Sequence, residues 1–218
     1  MKITYAIMVC NESRDLYSLI SFLKGVIDEE DDINVLIDTA HSTESVKSVI
    51  EHFKDVIVTC ERAFDGNFAE HRNFHISKCT GDYIFVLDPD EMPQELIIKR
   101  IKEVISTTGA DFLMIPRINI VLGATRKWCE DHDFGDKINE LGWINWPDYN
   151  GRIFENNGII KYGNALHEKI QGYTNMKLIA DNPGLALYHI KSVDKDNNRW
   201  NNGSYVSPKN DNLYDTLM

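Results

Sequence analysis

The sequence predicts an α/β protein with a central, mostly parallel sheet flanked by helices. Strand-like and helix-like segments alternate through the first half of the chain, the pattern of βαβ units. The run Tyr83-Ile84-Phe85-Val86-Leu87 is apolar, rich in β-formers and bounded by acidic residues, as expected of a buried strand. The length of 218 residues and the apolar fraction of 43% suit one α/β domain with a real core.

The elements follow in order. Residues 3–9 read as a strand, and Leu16, Leu19, Ile20, Leu23, Val26 and Ile27 then keep helical spacing. Residues 33–37 form a second strand ending at Asp38. Ser42 is placed to cap a helix carrying Val46, Val49, Ile50 and Phe53. Residues 56–58 form a short third strand. Residues 68–79 read as a helix that stops at Thr80-Gly81, and residues 83–87 as the fourth strand. Pro93 suits the first position of a helix whose apolar face is Leu96, Ile97, Ile101, Val104 and Ile105. Residues 112–118 make a fifth strand.

Periodicity is lost over residues 123–150, which are polar with Trp128, Trp143 and Trp146 interspersed, so loops are expected there. Residues 152–154, 159–162 and 185–189 can add strands of mixed direction. The expected organisation is one domain over residues 1–193, in two halves (1–122 and 123–193). Residues 194–218 form a polar tail or a lid, with Trp200 and Tyr205 as its candidate covering residues.

The net charge of −11 argues against a generic nucleic-acid-binding surface. No apolar run reaches the length of a membrane span. Residues 1–10 read as a first strand rather than a leader, because Asn11-Glu12-Ser13-Arg14-Asp15 follows at once. Cys10, Cys60, Cys79 and Cys129 show no CxxC pairing and point to a reducing, cytoplasmic setting; Cys10 and Cys60 are expected as small core residues.

The most telling feature is Asp88-Pro89-Asp90-Glu91 directly after the fourth strand. Ligands bind at the C-terminal ends of strands in open α/β sheets. Alternate residues of extended chain face the same way, so Asp88 and Asp90 could share one divalent cation that holds phosphate oxygens. Asp131-His132-Asp133 and Asp194-Lys195-Asp196 repeat the spacing but have no strand before them.

Several motifs in order resemble family 2 glycosyltransferases of the GT-A fold, closest to the bacterial and phage branch related to lipopolysaccharide-core glucosyltransferases. Ile7-Met8-Val9-Cys10-Asn11-Glu12 is similar to that family's first-strand motif. Asp38-Thr39 with Ser42-Thr43-Glu44 is similar to its Asp-x-x-Ser-Thr-Asp turn, with an extra His41 and a Glu for the final Asp. Phe68-Ala69-Glu70-His71-Arg72-Asn73 resembles its Phe-x-x-x-Arg-Asn helix, and Gly81-Asp82-Tyr83 through Glu91 its strand ending in Asp-x-Asp. Trp146-Pro147-Asp148-Tyr149, Arg152-Ile153-Phe154 and His167-Glu168 resemble the acceptor-side region.

The resemblance implies a Rossmann-like nucleotide-diphospho-sugar transferase fold, with residues 1–122 as its nucleotide-sugar-binding half and 123–193 as its acceptor-side half. It implies sugar transfer from a nucleotide-diphosphate donor, a UDP-sugar first among candidates, to an acceptor hydroxyl with inversion. On this reading Asp90 binds Mn²⁺ or Mg²⁺, and Asp88 holds the ribose or a metal-bound water. Asp38 contacts the base, against which the backbone of Cys10, Asn11 and Glu12 also lies. Arg72 meets donor phosphate or supports Asp88; its bland alternative is a salt bridge to Glu70 or Asp82. Inversion needs a general base: Glu168 first, Asp148 in reserve. His189 is the candidate third metal ligand, and imidazole suits Mn²⁺ better than Mg²⁺. Trp143 and Trp146 either stack on sugar or staple the loop. The acceptor can be a glycan, a lipid-linked sugar, a protein or a modified nucleic acid.

Three other classes compete. A haloacid-dehalogenase-like phosphatase also places Asp-x-Asp after an apolar strand, but on its first strand and with Thr or Val where Met92 stands. A nucleotidyltransferase needs a Gly-rich basic loop where this chain has Cys10-Asn11-Glu12-Ser13-Arg14. A non-catalytic sugar-binding module needs no metal carboxylates.

Overall fold

The computed structural model describes residues 1–132 and 134–193, together with the backbone of residues 200–201 and 204–205. Strands β1 (Ile3–Val9), β2 (Asp32–Asp38), β3 (Ile57–Arg62) and β4 (Tyr83–Leu87) alternate with helices α1 (Ser13–Val26), α2 (Glu44–His52) and α3 (Phe68–Ile76). Then come β5 (Glu91–Pro93), α4 (Glu95–Thr108), β6 (Phe112–Leu122), α5 (Arg126–Asp131) and β7 (Ile144–Glu155). The short β8 (Lys161–Gly163), β9 (Lys169–Gln171) and β10 (Met176–Leu178) precede β11 (Leu187–Ser192). Trp200–Asn201 and Ser204–Tyr205 pair as a small antiparallel ladder. The remaining tail and Asp133 lie outside the described residues, as do the Asp194/Asp196 pair and the lid expected there.

One nine-stranded sheet runs in the order β3-β2-β1-β4-β7-β6-β11-β5, with β10 also pairing β6. Its first four strands are parallel. The sheet is covered on both faces, which explains the near-continuous apolar runs. Side chains alternate between two cores. Ile3, Tyr5, Ile7 and Val9 of β1 pack with Leu16, Leu19, Ile20 and Leu23 of α1 and Ile97, Ile101 and Ile105 of α4. Ala6 joins Ile84 and Val86 of β4 against Ala69 of α3.

The structure corrects several expectations. Thr43, not Ser42, caps α2, its side chain accepting from the Val46 amide. The third strand is longer, and the third helix ends at Ile76 rather than Cys79. Pro93 does not begin a helix: it ends β5, which pairs antiparallel with β11. This is a sheet edge, where a missing N–H is tolerated. Cys10 and Cys60 are only half-buried, while Cys79 and Cys129 are the buried thiols. Cys10 lies one residue past β1, and Cys60 lies on the edge strand β3.

The segment expected to be irregular contains the start of β7, paired antiparallel to β6. After buried Ile144, residues 146–151 of this strand are all half-buried, so the sequence carries no alternating period there. No described helix is long and apolar enough to cross a membrane.

Candidate functional site

The C-terminal ends of β2, β1 and β4, adjacent in the sheet, carry Asp38, then Cys10 to Glu12, then Asp88 to Asp90. Residues 88–90 are a turn, not extended chain, closed by the Glu91 amide donating to the Asp88 carbonyl at 2.9 Å. Asp88 and Asp90 therefore do not share a facing by strand alternation.

Their environments differ sharply. Arg72 Nη2 donates to Asp88 Oδ1 at 3.0 Å, and Arg152 Nη2 donates to Asp88 Oδ2 at 2.9 Å. Burial pushes the Asp88 carboxyl up, but Arg152 and then Arg72 outweigh it and hold it well below the usual carboxylate range. Both of its oxygens thus serve guanidiniums. Asp90 faces β11 instead, with Oδ2 3.6 Å from His189 Nε2.

Arg72 also donates from Nε to Glu168 Oε1 at 2.6 Å. It neither meets Asp82 nor Glu70; Glu70 pairs with Arg62. His167, at φ 54, turns the chain in the left-handed region just before Glu168. Arg72 therefore ties α3 to the first acidic residue of the site and to the residue nominated as base.

The remaining groups come from β5, β6, β7 and β11; the sequence suggested roles for Asp148 and His189 among them but none for Glu91, Arg117, Asn119 and Arg152. Glu91, fully buried, accepts from Arg152 Nη2 at 2.5 Å and from Arg117 Nη1 at 2.9 Å. Its other oxygen accepts from the Asp88 amide at 3.2 Å. Arg117 continues to Asp148 Oδ2 at 2.7 Å. Burial pushes the Asp148 carboxyl up, but Arg117 and then Asn119 bring it below its ordinary value, which makes it a poor proton acceptor. The only signal for Arg117 and Asn119 was their polar alternation at the end of a buried strand.

Asn119 orients the histidine. Its Nδ2 donates to Asp148 Oδ2 at 2.8 Å and to the Ile144 carbonyl at 3.2 Å. That leaves its Oδ1 toward His189 Nδ1, at 2.8 Å, so Nδ1 carries the proton. Burial lowers the His189 pKa, and Asp90 offsets this only in part. Neutral His189 therefore points the Nε2 lone pair at a carboxylate oxygen, an arrangement that a cation between them would satisfy.

Asp88, Asp90, Glu91, Asp148 and Glu168 are gathered with Arg72, Arg117 and Arg152, and the Lys191 ammonium also acts on His189. Asp90 and His189 side chains keep 13% and 8% of their exposure, so the pair can hold a cation that still reaches substrate. Their oxygen and imidazole donors suit Mn²⁺.

At the other end, Asp38 is nearly buried. Its Oδ1 accepts from the Ala40 amide at 3.0 Å and the Phe64 amide at 2.9 Å, and Oδ2 lies 2.6 Å from His41 Nδ1. Glu12 Oε2 accepts from the amides of Cys10 and Asn11, both at 3.0 Å, which fixes the loop after β1. Trp143 and Trp146 pack edge to face on each other, 5.3 Å between centroids, near the polar start of β7. His75 is buried between α3 and Asn34 and has no place in the site.

Comparisons with known proteins agree with this architecture. The family model described as glycosyl transferase family 2 matches residues 4–168, a span that includes Asp38, Arg72, Asp88, Asp90 and Glu168. No curated protein matches the chain. Among solved structures, S. aureus TarS 1-349 in complex with UDP-GlcNAc has a TM-score of 0.62 at 16% identity. It covers 95% of this chain and 62% of its own. S. aureus TarS has a TM-score of 0.61 at 14% identity, with 89% and 37% covered. This chain thus spans less than two thirds of the length of those proteins, and the likeness concerns the fold, which is GT-A. With the strand order, the acidic turn after β4 and a family match over most of its length, the chain belongs to glycosyl transferase family 2.

Proposed function

We propose that the protein transfers a sugar from a nucleotide-diphosphate donor, a UDP-sugar, to an acceptor hydroxyl with inversion, using Mn²⁺ or Mg²⁺. The observation that carries this reading is Asp90 facing the unprotonated Nε2 of His189 at 3.6 Å, beside the strand ends that hold Asp38 and Asp88. The UDP-GlcNAc bound by the TarS fragment of similar fold supports the choice of UDP.

Asp38 and the backbone from Cys10 to Glu12 bind the base. Asp88 stays ionised and lines the ribose side, positioned by Arg72 and Arg152. Asp90 and His189 are the metal ligands on this reading. When bound, the cation neutralises the leaving diphosphate as the glycosidic bond breaks. Glu168 takes the proton of the acceptor hydroxyl, its carboxylate held by Arg72 at Oε1. Asp148, pinned by Arg117 and Asn119, orients the amide that sets the His189 tautomer. A haloacid-dehalogenase-like reaction is disfavoured, because Asp88, the residue that would attack, has both oxygens on guanidiniums.

Thermal unfolding with UDP, GDP, CDP and ADP, each with and without Mn²⁺, tests the reading. At ligand about 100-fold above Kd the gain is about 2.7 kcal/mol, or roughly 5–10 °C for a chain this size. That rise is expected for UDP with Mn²⁺. No rise with any diphosphate would remove the donor assignment.

A further inference from the structure

Outside the cluster around Asp90, a second group of metal-ligating side chains gathers where β1 and β2 end. Cys10 Sγ, a carboxylate oxygen of Asp38 and a ring nitrogen of His41 all lie within 4.8 Å of one another. The strands bring them together: Val9 and Ile37 are register partners in the parallel β1–β2 pair, so Cys10 and Asp38 are the next residues of adjacent chains. His41 comes back over Asp38 in a turn closed by the Ser42 amide donating to the Asp38 carbonyl at 2.9 Å. Its own carbonyl lies 3.8 Å from Cys10 Sγ.

We propose that Cys10, Asp38 and His41 form a site for a thiophilic divalent cation of the Zn²⁺ type, lying over the nucleoside end of the donor cleft. The donor set is one sulfur, one imidazole nitrogen and one carboxylate oxygen, which selects Zn²⁺ or Co²⁺ over Mg²⁺ or Ca²⁺. The carboxylate is oriented in advance, because Oδ1 is held by the Ala40 and Phe64 amides while Oδ2 faces His41. Asp38 is nearly buried, Cys10 half-buried and His41 exposed, so the cluster is open on one side to an entering ion and a water ligand. Binding sends the Cys10 thiol proton to solvent and requires the ligating ring nitrogen of His41 to carry no proton. The site differs in kind from Asp90 and His189, which offer no sulfur.

One consequence rests on the donor reading above. Asp38 cannot serve the base and this cation together, so Zn²⁺ and the nucleotide exclude each other. Zn²⁺ would then weaken donor binding while the Mn²⁺ ligands remain intact.

The test is a Co²⁺ titration of the full chain, followed by the near-ultraviolet thiolate-to-metal absorption that oxygen and nitrogen ligands do not produce. The expected result is a band that saturates near one equivalent, bleaches on adding Zn²⁺, persists in Cys60→Ser and disappears in Cys10→Ser. His41→Ala, at an exposed turn, should weaken Co²⁺ binding by at least the cost of losing an outer-shell partner, about tenfold. Absence of the band, or a band of full intensity in Cys10→Ser, overturns the site, as does unchanged affinity in His41→Ala. No nucleotide enters that experiment, so it stands whether or not the donor reading does. A separate UDP titration in excess Mn²⁺ addresses the overlap. Weaker UDP binding with Zn²⁺ in the wild type but not in His41→Ala supports it, and equal UDP affinity with and without Zn²⁺ overturns it.

Discussion

Arg72 donates to Asp88 and to Glu168 from different nitrogens, so one guanidinium couples a donor-side carboxylate to the proposed base. Glu168→Gln keeps an oxygen for Arg72 Nε and removes only the ability to take a proton. UDP affinity should stay within about twofold, while sugar transfer falls by about 10²–10⁴-fold, the usual contribution of general base catalysis. Transfer retained at the wild-type rate would take the base role away from Glu168. At this scale the acids at the strand ends were readable because each closes or follows an apolar strand: Asp38 closes β2, and Asp88 and Asp90 follow β4. Arg117, Asn119 and Arg152 were not. Their partners are supplied by pairings among β6, β7 and β11 that leave no local pattern, and a buried guanidinium in a strand looks like any surface Arg until its two carboxylates are in place.

The parallel elements were legible because their helices and strands repeat with clear periods, and their strand ends located the site. The β4–β5 turn was misread at Pro93, since proline is equally suited to a helix start and to an edge strand; the pairing with β11 decides between them. The entry to β4 makes a prediction of its own. Gly81 donates its amide to Thr4 Oγ1 at 2.8 Å, and a Cβ there would lie 2.6 Å from the Thr4 amide nitrogen and 2.8 Å from the Tyr83 carbonyl oxygen. Backbone on both sides cannot rotate away. Gly81→Ala should destabilise the fold by about 1–3 kcal/mol, as overpacking does. Gly25→Ala within α1, where nothing lies within 4 Å, should be neutral or stabilise by up to about 1 kcal/mol. Urea unfolding of the two variants checks the contrast, and equal effects would place Gly81 in a roomier turn than the one described.

Across the whole molecule, acid should destabilise the fold well before its carboxylates titrate. Burial between α3 and β2 pushes His75 down to about 3, whereas an unfolded His titrates near 6.5. Between those values the unfolded chain binds the extra proton. The stability is fully present above about pH 6.5 and falls by about 1.4 kcal/mol per unit as pH drops. His71 and His189, also lowered by burial, act in the same direction. Asp88 acts at lower pH, its contribution present above about 3.9 and lost as pH falls further. Urea unfolding at pH 6.5 and 5.5 should show the loss, and a smaller loss in His75→Gln. The same slope in that variant would place the titrating group elsewhere. At this scale the sheet-and-helix architecture was legible, but the continuity of one sheet across residues 1–193 was not, because residues 145–151 of β7 show no alternation of buried and exposed positions.

Asp90 and His189 are proposed to share a cation that UDP also contacts. Calorimetric titration of UDP into the wild type and Asp90→Ala, each with and without Mn²⁺, tests this most directly. The expected result is strong Mn²⁺ dependence in the wild type, and in Asp90→Ala an affinity that is low and indifferent to Mn²⁺. Equal, Mn²⁺-dependent affinity in both proteins would contradict the metal site described at the end of β4.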